Sequence, residues 1–228
     1  AWSIHRESFL KDKVDLLKLR FSIGKTGNDN NTYTTETVYQ YDTNSNLFGS
    51  GLHVKQFGNY WLNWEETLDM NVGLDFTTRN RRFSMVVDAW KKVTDPLIVT
   101  LDLPPSTGRS GMKTNMGRST NIGISFNTNF NIIHRPADRI VWSVGVNGRH
   151  DSSVYSNMGE LEKLNDDLKD MSSLQRFRNG HSMYDLWAVR SAGIDPGSGN
   201  EIFIKKDGTY TFTFDQNDEV VVGNSRPT

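Results

Sequence analysis

Between Trp64 and Trp90 the chain reads WEETLDMNVGLDFTTRNRRFSMVVDAW, and its side chains alternate. Leu68, Met70, Val72, Leu74 and Phe76 fall on one face, while Thr67, Asp69, Asn71, Gly73 and Asp75 fall on the other. A period of two marks a strand with one apolar and one wet face. The polar run Thr77-Thr78-Arg79-Asn80-Arg81-Arg82 then reverses the chain, and Phe83, Met85, Val87 and Ala89 resume the apolar face. This predicts a long hairpin with a short turn. An average globular strand has about 5–6 residues, whereas the alternation from Glu66 to Phe76 matches the roughly 9–11 that a membrane-crossing strand needs.

The same two-faced pattern recurs. Leu17, Leu19, Phe21 and Ile23 alternate with Lys18, Arg20, Ser22 and Gly24, and Trp2 and Ile4 read as the tail of an earlier strand. Ile122, Ile124, Phe126, Phe130 and Ile132 alternate with Asn and Ser positions. After a turn over 134–139, Ile140, Trp142, Val144 and Val146 run back against Ser143, Gly145 and Asn147. The connections after Ile4, Phe76 and Ile132 are short; those after Ile23, Trp90 and Val146 are long, polar and without sustained period. Short turns on one side and long loops on the other are the asymmetry of outer-membrane barrels, with the Asn/Asp/Ser/Gly face toward the lumen and the apolar face toward lipid. From Asp151 the pattern breaks. Leu161, Leu164, Leu168 and Met171 are spaced for a short helix, and Ile202–Ile204 and Tyr210–Phe214 flank Asp207-Gly208 as a hairpin. Residues 220–228 read as loop. The expected division is therefore 1–150, spanning strands with their connections, and 151–228, a large extracellular loop region with a short helix and a hairpin.

Composition narrows the chemistry. The chain has no cysteine, which excludes a disulfide framework and thiolate catalysis, and a net charge of −1 with no basic block gives no reason to expect nucleic acid. No run of about 18 apolar residues exists, which excludes a transmembrane helix only. The five histidines share no ligand spacing, so no metal is expected. Asp195, Asp207, Asp215 and Asp218 do not fit a calcium loop, and Glu65 and Glu66, adjacent on a strand, point to opposite faces and cannot act on one substrate. Neither an enzyme nor a cofactor is expected. Tyr60, Trp61, Trp64, Trp90, Trp142 and Trp187 suit an interfacial aromatic girdle or, in loops, stacking on sugars or peptide side chains. Two classes remain from the residues alone: part of a membrane barrel, or a soluble secreted β-sandwich that binds glycans and packs its apolar faces together.

WLNWEETLDMNVGLDF from Trp61, KKVTDPLI from Lys91, LPPSTG from Leu103 and GHSMYDLWAVRSAGIDPGSGNEIFIKKDGTYTF from Gly180 resemble, in that order, the C-terminal half of SusC/RagA-like TonB-dependent transporters of the Bacteroidetes outer membrane. One departure is Gly197-Ser198-Gly199 after Ile194-Asp195-Pro196, where the family has a small residue, Thr and Gly. The resemblance implies an all-β chain, about five complete strands of an antiparallel barrel of about 22, with long extracellular loops. The opening Ala1-Trp2-Ser3-Ile4-His5, with neither an initiator Met nor a signal-like segment, gives the separate expectation that the numbering starts inside a longer precursor. The partners it implies are the remaining barrel and plug, TonB acting through the N-terminal part, a SusD-like lipoprotein, membrane lipid, and an oligosaccharide or peptide as substrate. Substrate or partner contact falls on Tyr60, Trp61, Tyr184, Trp187 and Arg190.

Overall fold

The computed structural model describes residues 1–7, 14–28, 35–41, 49–109, 111–135, 140–163, 165–166 and 173–226. In chain order its strands are β1 (Trp2–Ser3), β2 (Val14–Asn28), β3 (Val38–Tyr41), β4 (Leu52–Gln56), β5 (Glu65–Thr78), β6 (Phe83–Thr94), β7 (Ile98–Asp102) and β8 (Gly111–Asn115). There follow β9 (Arg118–Arg135), β10 (Ile140–Ser156), β11 (Asp185–Ala188), β12 (Arg190–Ile194), β13 (Glu201–Ile204), β14 (Tyr210–Thr211) and β15 (Val220–Asn224). The chain divides into two compact units. One comprises Ala1–Asp29, Trp64–Asp95 and Ser119–Ser153; the other comprises Asn30–Asn63, Pro96–Arg118 and Val154–Thr228. The first is a sheet, and the second is drawn from the long connections, the last residues of β10 and the region after it.

The sheet has six strands in the order β1-β2-β5-β6-β9-β10, and every pairing from β1 to β9 is antiparallel. Its register lines up the two faces across strands. Phe21, Val72, Ala89 and Ile124 form one row, and Leu19, Leu74, Val87 and Phe126 the next. Between them lies the polar row Arg20, Gly73, Asp88, Ser125, and beyond the Phe21 row lies the row Ser22, Asn71, Trp90, Gly123. A slip of one residue would exchange the faces, so the alternation itself specifies the register.

Among the described residues, no second layer covers the apolar face of this sheet. Phe21, Ile23, Ile124 and Trp142 are 49–62% exposed, and the buried apolar residues, Met158, Leu161 and Trp187, all belong to the other unit. A β-sandwich needs the opposite arrangement, with inner faces interdigitated about 10 Å apart. The wet face is instead laced by polar contacts. Arg20 reaches over Gly73 to Asp75 (2.8 Å) and Asp88 (2.8 Å) and ties three strands together. A Cβ at Gly73 would stand 2.5 Å from Asp88 Oδ1, so glycine is what lets this bridge form. Lys92 pairs with Asp69 at 3.1 Å, and Thr67 bonds Thr94 at 2.9 Å on the same face.

The β5–β6 turn is as short as expected. Arg81 sits at φ 53, a left-handed conformation, and is held by its N–H donating to Thr78 C=O at 2.8 Å and by Asn131 Nδ2 donating to Arg81 C=O at 2.8 Å. The start of the chain differs from expectation. The strand ends at Ser3, and Ile4 opens a 3-10 turn over Ile4–Arg6 with His5 Nδ1 3.2 Å from Leu17 C=O.

In the other unit, β7–β8, β3–β4 and β11–β15 are two-stranded, and β12-β13-β14 form a small sheet. Stretches read as aperiodic thus contain short strands, and residues 220–224, read as loop, pair with β11. The expected hairpin at Asp207-Gly208 is present as β13–β14, although Phe212, Thr213 and Phe214 leave the ladder and Phe214 packs on Phe203 at 5.4 Å. Of the expected helix, Leu161 lies in a 3-10 segment over Gly159–Lys163 and Asn165 and Asp166 are helical; Leu164, Leu168 and Met171 lie outside the described residues, as does the turn over 136–139. Met158 and Leu161 are fully buried, packed by Val99, Leu101, Met116, Tyr155 and Phe177. Gly117 adopts φ 80, which glycine favours, and a Cβ there would stand 3.0 Å from Met158 Sδ and 3.1 Å from Leu161 Cδ1.

Candidate functional site

The most exposed aromatic pair lies on a turn pinned at both ends. Tyr60 and Trp61 are 81% and 82% exposed and meet edge to face with centroids 5.6 Å apart. Asn59 Nδ2 donates to Lys113 C=O at 3.0 Å on one side. On the other, Asn115 accepts from Asn63 N–H at 2.6 Å and donates to Asn63 C=O at 2.7 Å, so its amide mimics a strand neighbour. Leu62 N–H closes the turn on Asn59 C=O at 3.0 Å. Gly58 permits the approach, since a Cβ there would collide with the backbone of Glu36 and Thr37. Two large rings are thus displayed in water on fixed backbone. That arrangement suits an anchor in a contact surface, because little side-chain freedom is left to lose on binding.

The other expected contact residues have different settings. Tyr184 is half-buried, and its C=O accepts from Ser225 N–H at 2.8 Å. Arg190 is exposed on β12, across from Ile204. Trp187 is 5% exposed; the Arg178 guanidinium lies 4.3 Å over its ring and His181 meets it edge-on at 4.7 Å. Its ring is therefore a platform beneath other side chains and not a surface open to solute. Among the described residues, no hydrogen bond, ion pair or ring contact joins Tyr60 or Trp61 to Tyr184, Trp187 or Arg190.

Around Trp187 the structure assembles a polar cleft that sequence reasoning missed, lined by Glu162, Asn165, Asp166, Arg178, Asn179 and His181. The only sequence signal is the dense run Arg176-Phe177-Arg178-Asn179-Gly180-His181. The two arginines differ. Arg176 is buried and spends its donors on Glu219, with Nε to Oε2 at 2.9 Å, and on the C=O groups of Ser173 and Gln175. Arg178 is only stacked.

The remaining sequence candidates hold the chain's own turns. Asp195 accepts from Ser198 Oγ at 2.6 Å and from the N–H groups of Gly197 and Ser198, which keeps its carboxyl below the usual range. Asp207 does the same with Thr209, and Asp215 caps Asn217 N–H at 2.8 Å. Glu65 and Glu66 diverge: Glu66 joins Lys25 and Trp64, while Glu65 accepts from Asn28. Of the remaining tryptophans, Trp64 lies 60% exposed against Gly27, and Trp90 lies on the wet face, where Nε1 donates to Asn121 at 2.8 Å beneath the Arg149 guanidinium at 4.8 Å.

No family model matches the chain. It is similar to TonB-dependent receptor P39 of Formosa agariphila, 28% identical over 226 residues, which covers 97% of this chain and 21% of that protein. It is also similar to TonB-dependent receptor SusC of Bacteroides thetaiotaomicron, 26% identical over 235 residues, covering 92% of this chain and 23% of that protein. Among solved structures it resembles the RagAB peptide importer in its closed-closed state, with a TM-score of 0.80, 19% identity, and coverage of 98% of this chain and 25% of the other. The same importer in its open-open state matches with a TM-score of 0.75 at 18% identity, over 97% and 24%. The chain spans about a fifth to a quarter of the relatives it matches. Its six-stranded sheet shares the all-β fold of a segment of that importer, and its sequence is similar to part of TonB-dependent receptors, SusC among them.

Proposed function

We propose that this chain belongs to an energised importer of the outer membrane of Bacteroidetes-type Gram-negative bacteria. In this reading 1–150 carries membrane-spanning strands of a barrel of about 22, and 151–228 forms an extracellular surface together with the long connections. The rest of the barrel and a plug complete the pore. TonB supplies energy through the N-terminal part, and a SusD-like surface lipoprotein delivers an oligosaccharide or a peptide, which crosses without chemical change. Tyr60, Trp61, Tyr184 and Arg190 contact substrate or lipoprotein, and Trp187 contributes by supporting Arg178.

The observation that carries this reading is the sheet with two unlike faces and, among the described residues, no core on its apolar side. Leaving a large apolar side chain in water forgoes about 1.5–3 kcal/mol, and the rows of Phe21, Ile23, Val72, Ile124 and Trp142 repeat that loss. Lipid covers such a face without asking for a second sheet. The lengths agree: β5 has 14 residues, and at about 3.4 Å per residue and a tilt of about 40° it rises about 35 Å, enough to cross an apolar band of about 25 Å.

Fractionation and uptake test the proposal. The receptor carrying this chain is expected in the outer-membrane fraction, released only by detergent, with a mobility on gels that changes on boiling. Uptake of its solute is expected to stop when TonB is deleted. A protein recovered as a detergent-free monomer would overturn the membrane reading, and uptake indifferent to TonB would overturn the energised one.

A further inference from the structure

The cleft beside Trp187 has a volume of about 370 Å³ and carries both signs of charge. Its amides are occupied by the chain itself. Asn165 accepts from Phe177 N–H at 2.6 Å and donates to Phe177 C=O at 2.9 Å. Asn179 accepts from Met158 N–H at 3.0 Å and donates to Glu162 Oε1 at 3.1 Å. The cation is not occupied. Among the described residues the Arg178 side chain forms no hydrogen bond or ion pair, and its Nε is buried without a partner.

Stacking on Trp187 fixes the plane of that guanidinium without consuming a donor. A planar fork held in place with unspent donors matches a carboxylate, which it binds through two parallel hydrogen bonds. Glu162 and Asp166 line the same cleft, and the Oε1 of Glu162 is engaged by Asn179, which orients its carboxylate. These acids select among anions. Phosphate or sulfate would be repelled by two carboxylates, and a neutral sugar would leave the Arg178 charge uncompensated. A solute bearing a carboxylate and an ammonium satisfies both parts of the lining.

We propose that the cleft of Glu162, Asp166, Arg178 and His181 binds a zwitterionic solute, an amino acid or short peptide, with its carboxylate on Arg178 and its ammonium on Glu162 and Asp166. The proposal deepens the importer reading and rests on it for its use in uptake; the binding itself does not depend on transport.

The test is calorimetric titration of the intact receptor in detergent with triglycine, triglycine amide, N-acetyltriglycine and inorganic phosphate. Triglycine is expected to bind, and capping either end to weaken it about tenfold or more, the size of a lost charged hydrogen bond. Arg178→Gln is expected to lower triglycine affinity to that of the amide and to leave the amide unchanged. Equal binding of triglycine and its amide, absence of triglycine binding, or preference for phosphate would each overturn the proposal. The capped ligands on the wild-type receptor decide the matter even if Arg178→Gln fails to fold. A receptor that imports its solute but ignores triglycine refutes the cleft alone, and one that binds triglycine yet imports nothing refutes the importer reading alone.

Discussion

Trp90 lies directly across the β6–β9 ladder from Gly123, and its six-membered ring fills the space that a Cβ at position 123 would need. The ring is held there by Asn121, which accepts from its Nε1 at 2.8 Å and passes a hydrogen bond on to Asp151 at 3.1 Å. Arg149 closes the cluster by stacking on Trp90 and pairing with Asp151 at 3.2 Å. One missing methyl group therefore lets an aromatic, an amide and an ion pair join three strands on the wet face.

Gly123→Ala is accordingly expected to displace Trp90 and to destabilise the sheet by about 1–3 kcal/mol, the range for overpacking a filled site. Gly145→Ala, on the neighbouring strand, is the control, since its added methyl group would meet only Thr128 C=O at an ordinary 3.6 Å. Thermal unfolding of the detergent-solubilised receptor, followed by tryptophan fluorescence, should separate the two; equal midpoints would show that the ring relocates without cost.

The sheet is legible in the sequence because each side chain there answers to a single variable, which face it occupies. Val72 and Asn71 differ in polarity because they face different surroundings, so alternation reports the fold directly. The other unit obeys no such rule. β3, β4, β7 and β8 have four or five residues each, too few to establish a period, and β15 hides in Val220-Val221-Val222, a run without alternation. Tyr60 and Trp61 stand out as candidates by composition, and the structure adds the pinned turn that displays them. Trp187 reads the same way in sequence, yet Arg178 and His181 cover its ring. That Arg178 forms no hydrogen bond or ion pair among the described residues is illegible for a simple reason: the neighbouring Arg176 finds its acid in Glu219, 43 residues away.

The Arg176–Glu219 pair itself is buried, with side chains 3% and 7% exposed. Removing one partner of such a pair costs about 3–5 kcal/mol, because the other charge stays buried uncompensated. Glu219→Ala should therefore loosen the β11–β15 pairing and open residues 173–226 to limited proteolysis. The double variant Arg176→Met, Glu219→Leu should recover much of the resistance. If the double variant is as labile as the single one, the hydrogen bonds of Arg176 to Ser173 and Gln175 matter more than its charge.

The Asp195 turn carries a pH dependence of known sign. Its carboxyl is held below the ordinary value by Ser198 Oγ first, then by Gly197 N–H and Ser198 N–H. A lowered folded-state value means that the contribution to stability is present above the unfolded value of about 3.9 and is lost as the pH falls through the folded one. Protection of the Gly197 and Ser198 amides from hydrogen exchange is thus expected to hold at pH 5 to 7, on the order of the neutral range, and to fall only in acid. Asp195→Asn should remove the acid-dependent step. A step centred near neutrality would point to a different group.

The decisive prediction concerns which face meets lipid. Val72 lies mid-strand in the row with Phe21, Ala89 and Ile124, and it is 46% exposed. Its neighbour Asn71 points the other way, into the row with Ser22, Trp90 and Gly123, and donates to Asp69 at 2.9 Å. If hydrocarbon covers the apolar face, Val72→Arg places a charge near the bilayer midplane at a cost of about 2–4 kcal/mol. Asn71→Arg places the same charge among water and beside the carboxylate of Asp69, where it stays solvated and costs far less. Val72→Arg should therefore depress the yield of heat-modifiable barrel in the outer membrane, while Asn71→Arg should leave assembly nearly intact and alter uptake at most. Equal yields, or the reverse order, would mean that the exposed apolar rows face something other than lipid.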